Sequence, residues 1–128
     1  MPSDQTDPET LLPLTPAVFN ILLALADGER HGYSIMQEIH SQTQGRLRIG
    51  PTTLYRSIKH MLEEGLIEES DERPDPALDD ERRRYYRLTN LGQRVAVAET
   101  IRLEQTLAVA LSKPLLRSSG QITAMKGV

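Results

Sequence analysis

The chain has 128 residues, a net charge of −3 and no cysteine, and its length fits one domain of roughly 100 to 200 residues. The lack of cysteine excludes a disulfide framework and cysteine-ligated zinc, and it favours a cytoplasmic protein. No apolar run approaches the ~20 residues of a membrane span, and residues 1–10 are acidic and polar, so neither a membrane segment nor a signal peptide is expected.

The first segment, residues 1–13, is predicted to be a flexible tail because it is rich in proline and acids. Thr15 then provides a helix N-cap, and Pro16 takes the first helical position. Residues 17–26 are apolar except at Asn20, so this helix is expected to be central or to lie at an interface. Gly28 is expected to end it.

A second helix is predicted over residues 32–41 and should end at Gln44-Gly45. Its inward stripe consists of Ile35, Met36 and Ile39. Gly32 is expected to permit a close backbone approach, and Tyr33 is expected to pack.

A third helix is predicted over residues 51–64, with Pro51 at its first position and Gly65 as its stop. Its apolar residues recur every three or four positions and share one face, which is formed by Leu54, Ile58, Met61 and Leu62.

A hairpin is predicted next, with strands over residues 66–70 and 85–88 and a proline-containing loop over residues 71–81. One of Tyr85 and Tyr86 must face the core, because neighbouring residues of a strand point to opposite sides. Three helices followed by a hairpin predict a mainly α (α+β) fold, a winged helix-turn-helix with a two-stranded wing.

A long fourth helix is predicted over residues 90–112, with Thr89 as its N-cap and Pro114 just beyond its end. Its apolar side is predicted to include Val97, Ile101, Leu103, Leu107, Ala108 and Leu111. A second copy of the chain would bury this side, which predicts a homodimer. The expected organisation is therefore a tail (1–13), a winged helix-turn-helix (14–89), a dimerisation helix (90–113) and a second tail (114–128).

Charge is distributed unevenly along the chain. Residues 41–62 contain Arg46, Arg48, Arg56 and Lys59 but no acid, whereas residues 63–81 contain ten acids and only one arginine. Local potential decides where a polyanion docks, so the acid-free run favours contact with double-stranded DNA.

The face of the third helix opposite its apolar stripe consists of hydrogen-bond donors. They are Thr52, Thr53, Arg56, Lys59 and His60, with Tyr55 on the flank, where its ring can pack inward and its hydroxyl can reach a phosphate. Arginine can grip a guanine edge, and lysine and threonine suit phosphates, so this face is the predicted DNA-reading surface. The alternative is an ordinary solvated polar face.

Arg82, Arg83 and Arg84 lie where the loop enters the second strand, a position over DNA in a winged helix. Alternatively, they pair with the acids at 79–81 or keep the strand edge from pairing with other chains. His31, His40 and His60 lack the spacing of a metal site. Neither a cofactor nor a set of catalytic residues is predicted.

Several motifs together resemble the PadR family of bacterial transcriptional regulators. The matching segments are Leu14-Thr15-Pro16, His31-Gly32-Tyr33, Pro51-Thr52-Thr53-Leu54-Tyr55, Leu62-Glu63-Glu64-Gly65-Leu66-Ile67, and Arg84-Tyr85-Tyr86-Arg87-Leu88-Thr89 with Gly92. The family often has serine before this proline and a second proline after the tyrosine, where this chain has Gly50 and Arg56.

The resemblance implies a winged helix-turn-helix that dimerises through its C-terminal helix and usually represses transcription. The third helix would enter the major groove, and the hairpin would form the wing. Some relatives bind planar aromatic effectors with help from a tryptophan, and this chain has no tryptophan. The resemblance therefore leaves a small-molecule effector as an optional partner and does not identify it. The rival interpretation is a winged-helix module that binds proteins through its acidic loop at residues 71–81.

Overall fold

The main helices begin where the sequence places their starts. The computed structural model describes residues 6–70 and 84–117. Its helices are α1 (Pro16–Leu25), α2 (Gly32–Gln42), α3 (Pro51–Glu64), α4 (Asn90–Leu111) and the short α5 (Pro114–Arg117). Proline at the first turn starts α1 and α3, and threonine side chains cap α1 and α4, which confirms these predictions.

Left-handed backbone conformations end α2 and α3. Gln44 and Gly45 have φ values of 53° and 75° after α2, and Gly65 has a φ of 78° after α3. The Gly65 N–H and the following Leu66 N–H return to carbonyls of the last turn of α3, at 3.1 and 2.9 Å. The predicted stops are therefore confirmed.

A small antiparallel sheet follows the three helices. Strands β2 (Ile67–Glu69) and β3 (Tyr85–Leu88) form the predicted hairpin, in a register that pairs Ile67 with Leu88. A third strand, β1 (Arg30–His31), pairs with the other edge of β3 and gives the order β1-β3-β2. The sequence did not predict β1, because two residues are too short to show a periodic pattern.

Helix α1 occupies the centre of the core. Ile21, Leu22, Ala24 and Leu25 are buried, and α1 contacts α2, α3, α4 and β3. The inward residues predicted for α2 and α3 pack around it, with Ile35, Ile39, Leu54, Ile58 and Met61 fully buried. Tyr86 is the tyrosine of β3 that faces the core, and burial raises its pKa.

The N-terminal segment is more ordered than the sequence suggested. Residues 8–11 form a 3-10 helix, and Leu11, Leu12 and Leu14 pack against the core. This segment lies on α4, so the flexible tail expected for residues 1–13 does not describe its second half. Its leucines add to the apolar core, and residues 1–5 lie outside the described part.

Together these elements form a winged helix-turn-helix, mainly helical and of the α+β class, with a long C-terminal helix. Within residues 6–70 and 84–117, no helix is long and apolar enough to cross a membrane.

Candidate nucleic-acid interface

The N-terminus of α3 lacks the side-chain cap that the other main helices have. Thr15, His31 and Thr89 each accept a backbone N–H of the helix that follows, at 3.2, 3.1 and 3.0 Å. Gly50 precedes α3 and has no side chain to do this. The first-turn N–H groups of α3 therefore remain open to an external anion such as a phosphate.

The exposed face of α3 carries the predicted donors. Thr52, Thr53, Arg56, Lys59 and His60 are all exposed, whereas Leu54, Ile58 and Met61 on the opposite face are buried. The α2–α3 loop adds exposed Arg46 and Arg48 beside this face. The structure therefore brings five of the predicted donors together on one surface.

The cations of this surface form no ion pair within the described residues, unlike several arginines elsewhere. Arg30, Arg87 and Arg102 each pair with a carboxylate. Among the described residues, Arg46, Arg48, Arg56 and Lys59 form no ion pair. Within the described residues, α3 and the loop before it thus hold four cations without an ion pair, and Arg94, Lys113 and Arg117 on and after α4 are the others.

Two of the predicted contact residues also have contacts inside the chain. His60 Nε2 lies 3.4 Å from Glu64 Oε1, one turn further along α3. Tyr55 packs inward, because its ring and hydroxyl fill the place that a Cβ on Gly32 would take, 2.4 Å from the hydroxyl oxygen. Gly32 therefore permits the predicted close approach, and Tyr55 has a packing role.

The wing arginines are only partly described. Arg82 and Arg83 lie outside the described residues, and Arg84 Nη1 donates to Glu69 Oε2 at 3.1 Å across the hairpin. The sequence had suggested acids at 79–81 as partners, which also lie outside the described part. Arg84 is half-exposed, so an anion can still reach it.

The predicted dimerisation residues lie on a face of α4 that the chain leaves uncovered. Val97, Ile101, Leu103 and Leu107 are exposed, as is Ala108, while Leu111 is half-buried. The opposite face of α4 supplies Leu91 and Val95 to the core. The sequence analysis did not predict this contribution of the first turns of α4 to the core of the same chain.

Sequence reasoning missed a buried carboxylate on α4 that pairs with a partly exposed arginine. The Glu99 side chain is 1% exposed, accepts the Leu14 N–H at 2.9 Å and is bound by the Arg102 guanidinium. The hydrogen bond from Arg102 lowers the pKa of Glu99 most, and the Leu14 N–H adds to this against the opposing effect of burial. The only sign of this buried carboxylate in the sequence was an acidic residue among the apolar positions of α4.

Tyr33 also departs from expectation. It was predicted to pack, but it is 58% exposed at the start of α2. Its neighbours Gly32 and Ile35 take the inward positions of that turn.

Gly92 fixes the position of α4 relative to α3. A Cβ at Gly92 would lie 2.0 Å from the backbone oxygen of Leu66, the residue that follows the Gly65 stop of α3. The same Leu66 oxygen accepts the Thr89 N–H at 3.2 Å, and the Thr89 hydroxyl donates to the Gly65 oxygen. The start of α4 is thereby fastened directly to the end of α3.

A winged helix-turn-helix with a basic exposed face on α3 defines a class of DNA-binding proteins. The model of the PadR-like family of transcriptional regulators matches residues 21–98, more than half of the chain. The chain belongs to this family, which is one of transcriptional regulators and not of enzymes.

The chain is also similar to individual proteins and solved structures. An uncharacterised protein of Lysinibacillus sphaericus is 33% identical over 73 residues, which cover 57% of this chain and 64% of that protein. A transcriptional regulator from Clostridium thermocellum is 28% identical, with a TM-score of 0.61 over 73% of this chain and 84% of that one. A PadR family transcription regulator from Clostridium difficile, 20% identical, shares the fold with a TM-score of 0.63 over 77% and 97% of the two chains.

Proposed function

We propose that this protein is a sequence-specific DNA-binding repressor that binds an inverted-repeat operator as a homodimer. The observation that carries the proposal is the surface formed by α3 and the α2–α3 loop. Its arginines and lysine have no internal carboxylate partner among the described residues, and the α3 N-terminus has no side-chain cap. Such a surface suits the edges of bases and the phosphates that flank them.

The residues of α3 take different roles in this proposal. Arg56, in the middle of the exposed face, would contact a guanine edge in the major groove. Thr52 and Thr53 lie at the uncapped N-terminus, where a phosphate accepts both hydroxyl and backbone donors. Lys59 would contact a phosphate further along the groove, beside His60.

Tyr55 has a smaller part in DNA contact. Its ring and its hydroxyl both lie against Gly32, so Tyr55 would act mainly by holding α3 against the start of α2.

The hairpin would act as the wing. Arg84 pairs with Glu69, and both side chains are about two-fifths exposed, at 42% and 38%. An exposed pair of this kind contributes only about 0–1 kcal/mol, so a phosphate can compete for the arginine. Arg82 and Arg83 would add charge beside it.

The dimer would form through α4, by its uncovered residues Val97, Ile101, Leu103, Leu107, Ala108 and Leu111. A two-fold dimer requires two equivalent half-sites, which is why the operator is proposed to be an inverted repeat. Repression would follow from occupation of operator DNA in the cytoplasm, and the proposal requires no small-molecule effector.

Selection of bound sequences from random duplexes tests this proposal. A two-fold symmetric consensus is expected, and its affinity should fall steeply with salt because phosphate contacts release counterions. Absence of any shift with duplex DNA at low salt would contradict DNA binding and favour a protein-interaction module.

Matched charge variants test the roles within α3. Lys59→Ala should reduce the salt slope by about one unit, whereas Lys113→Ala, at the far end of α4, should leave it unchanged. Arg56→Ala should weaken consensus binding by about 1–3 kcal/mol and relax base choice, and Arg117→Ala is its control. A loss for Arg56→Ala that is equal on all sequences would make this residue a phosphate contact.

A further inference from the structure

Helix α4 is packed into the body of its own chain over its first half. Its buried residues are Leu91, Gly92, Val95 and Glu99. Residues 100–111, which follow Glu99, are exposed or half-buried. The contacts of the first half therefore set the direction in which the second half of α4 points.

Two contacts fasten this first half to different parts of the body. Gly92 lies directly against the backbone oxygen of Leu66, at the end of α3. Glu99 accepts the N–H of Leu14 at 2.9 Å, and Leu14 immediately precedes the Thr15 cap of α1. A rod that is held at one point can swivel about it, whereas a second point fixes its direction. Glu99 is this second point.

The second fastening is a carboxylate in a place where an apolar side chain would be usual. Glu99 is 1% exposed, and a buried carboxylate is costly unless it is bound. Here the Leu14 N–H and the Arg102 guanidinium both bind it. Hydrogen bonds require a narrow range of distances and angles, whereas apolar contacts are non-directional. Glu99 therefore fixes the position of α4 more sharply than a leucine could.

The length of α4 magnifies any play at Glu99. Glu99 lies about 10 Å along the helix from Gly92, and Leu111 lies about 18 Å further on, at 1.5 Å per residue. With Gly92 as the pivot, a displacement of about 1 Å at Glu99 would move Leu111 by about 3 Å. One base-pair step is roughly 3.4 Å, so play at Glu99 changes the reach of α4 by about one step of DNA.

We propose that Glu99 is a positioning residue that sets which spacing between two half-sites the protein accepts. The proposal rests on the α4 dimer of the proposed function and adds the group that holds each DNA-reading unit at a fixed angle to α4. Without the bond between Glu99 and Leu14, each unit would read its half-site as before. The pair of units would then tolerate a spacer that is one base pair too short or too long.

Binding to duplexes of different spacing tests this role. The selected half-site would be presented once, or twice as an inverted repeat with the selected spacer or a spacer one base pair shorter or longer. For the natural chain, a changed spacer should weaken binding roughly tenfold, because the DNA must twist and bend to fit. For Glu99→Ala, this penalty should shrink towards equal binding of the three spacers, with unchanged affinity for the single half-site. Glu99→Gln should be intermediate, because its amide oxygen can still accept the Leu14 N–H.

A core variant separates positioning from a general loss of stability. Ile35→Val removes a methylene from a buried residue of α2 and should lower stability, yet it should keep the spacer penalty of the natural chain. If Ile35→Val relaxed the spacing as much as Glu99→Ala does, the positioning role would be wrong.

The remaining outcomes separate this role from the dimer itself. An undiminished spacer penalty in a Glu99→Ala protein that circular dichroism shows to be folded would overturn the proposal. If Glu99→Ala does not fold, Glu99→Gln decides by the same criterion. A natural chain that binds the single half-site as tightly as the pair would instead refute the two-site binding of the proposed function, and the positioning role with it.

Discussion

Replacement of Gly92 by alanine should destabilise the protein, although the same change in an exposed helix position is normally favourable. Alanine is preferred to glycine inside a helix by about 1 kcal/mol. Here, the added Cβ would lie 2.0 Å from the Leu66 backbone oxygen and 3.0 Å from its carbonyl carbon. Both contacts are with backbone, so no side chain can move aside and α4 must shift by more than an ångström.

The magnitude follows from the contacts that this shift would disturb. Overpacking of a tight site costs about 1–3 kcal/mol, and weakening of the bond between the Thr89 N–H and the Leu66 oxygen adds about 1 kcal/mol. After the gain in helix propensity is subtracted, we expect the free energy of unfolding to fall by about 2 kcal/mol. The melting temperature should fall by roughly 8 °C or more.

Urea unfolding followed by circular dichroism measures this change. The control pair is Thr106→Ala and Thr106→Gly, at an exposed position of the same helix, where alanine should be the more stable by about 1 kcal/mol. A Gly92→Ala protein as stable as the natural chain, with the control pair behaving as expected, would refute the argument that Gly92 fastens α4 to the end of α3.

Two further changes test other contacts. Glu99→Gln should lower the free energy of unfolding by about 2 kcal/mol near neutral pH, since it removes the charge bound by Arg102 and the Leu14 N–H. Folding lowers the pKa of Glu99 below its usual 4.5, so this stabilisation is present above that pH and is lost as the pH falls through the folded pKa. Urea unfolding near pH 3 should therefore show a smaller difference in stability between the natural chain and Glu99→Gln than near neutral pH. An equal difference at both pH values would contradict this role of the charge. Gly50→Ser should stabilise the protein by a few tenths of a kcal/mol in thermal unfolding, because the new hydroxyl can cap α3. The added Cβ meets nothing within 4 Å, so it causes no clash. A loss of stability would show that the cap does not form.

Local signals were enough to place α3 and its donors. Pro51 starts this helix and Gly65 ends it, and both depend on backbone preferences that act within a few residues. The spacing of Leu54, Ile58 and Met61 fixed which side is buried, so the exposed donors followed by elimination. DNA contact itself stays a prediction for each of them.

Other features depended on residues far apart in the chain. β1 exists because Arg30 and His31 meet the free edge of β3, more than fifty positions later. Glu99 is buried because Leu14, 85 positions earlier, donates to it. Tyr33 and Tyr55 looked alike in the sequence, yet only Tyr55 finds a glycine to pack against. No local sequence pattern predicts these long-range contacts.

The sequence by itself determined the helices, the hairpin and the surface expected to meet DNA, because capping, left-handed stops and side-chain periodicity are local properties of the backbone. The tertiary structure decided which cations lack internal partners, how Gly92 sets α4 against α3, and which face of α4 the chain leaves exposed. These depend on distances between distant segments, which only the packed chain defines.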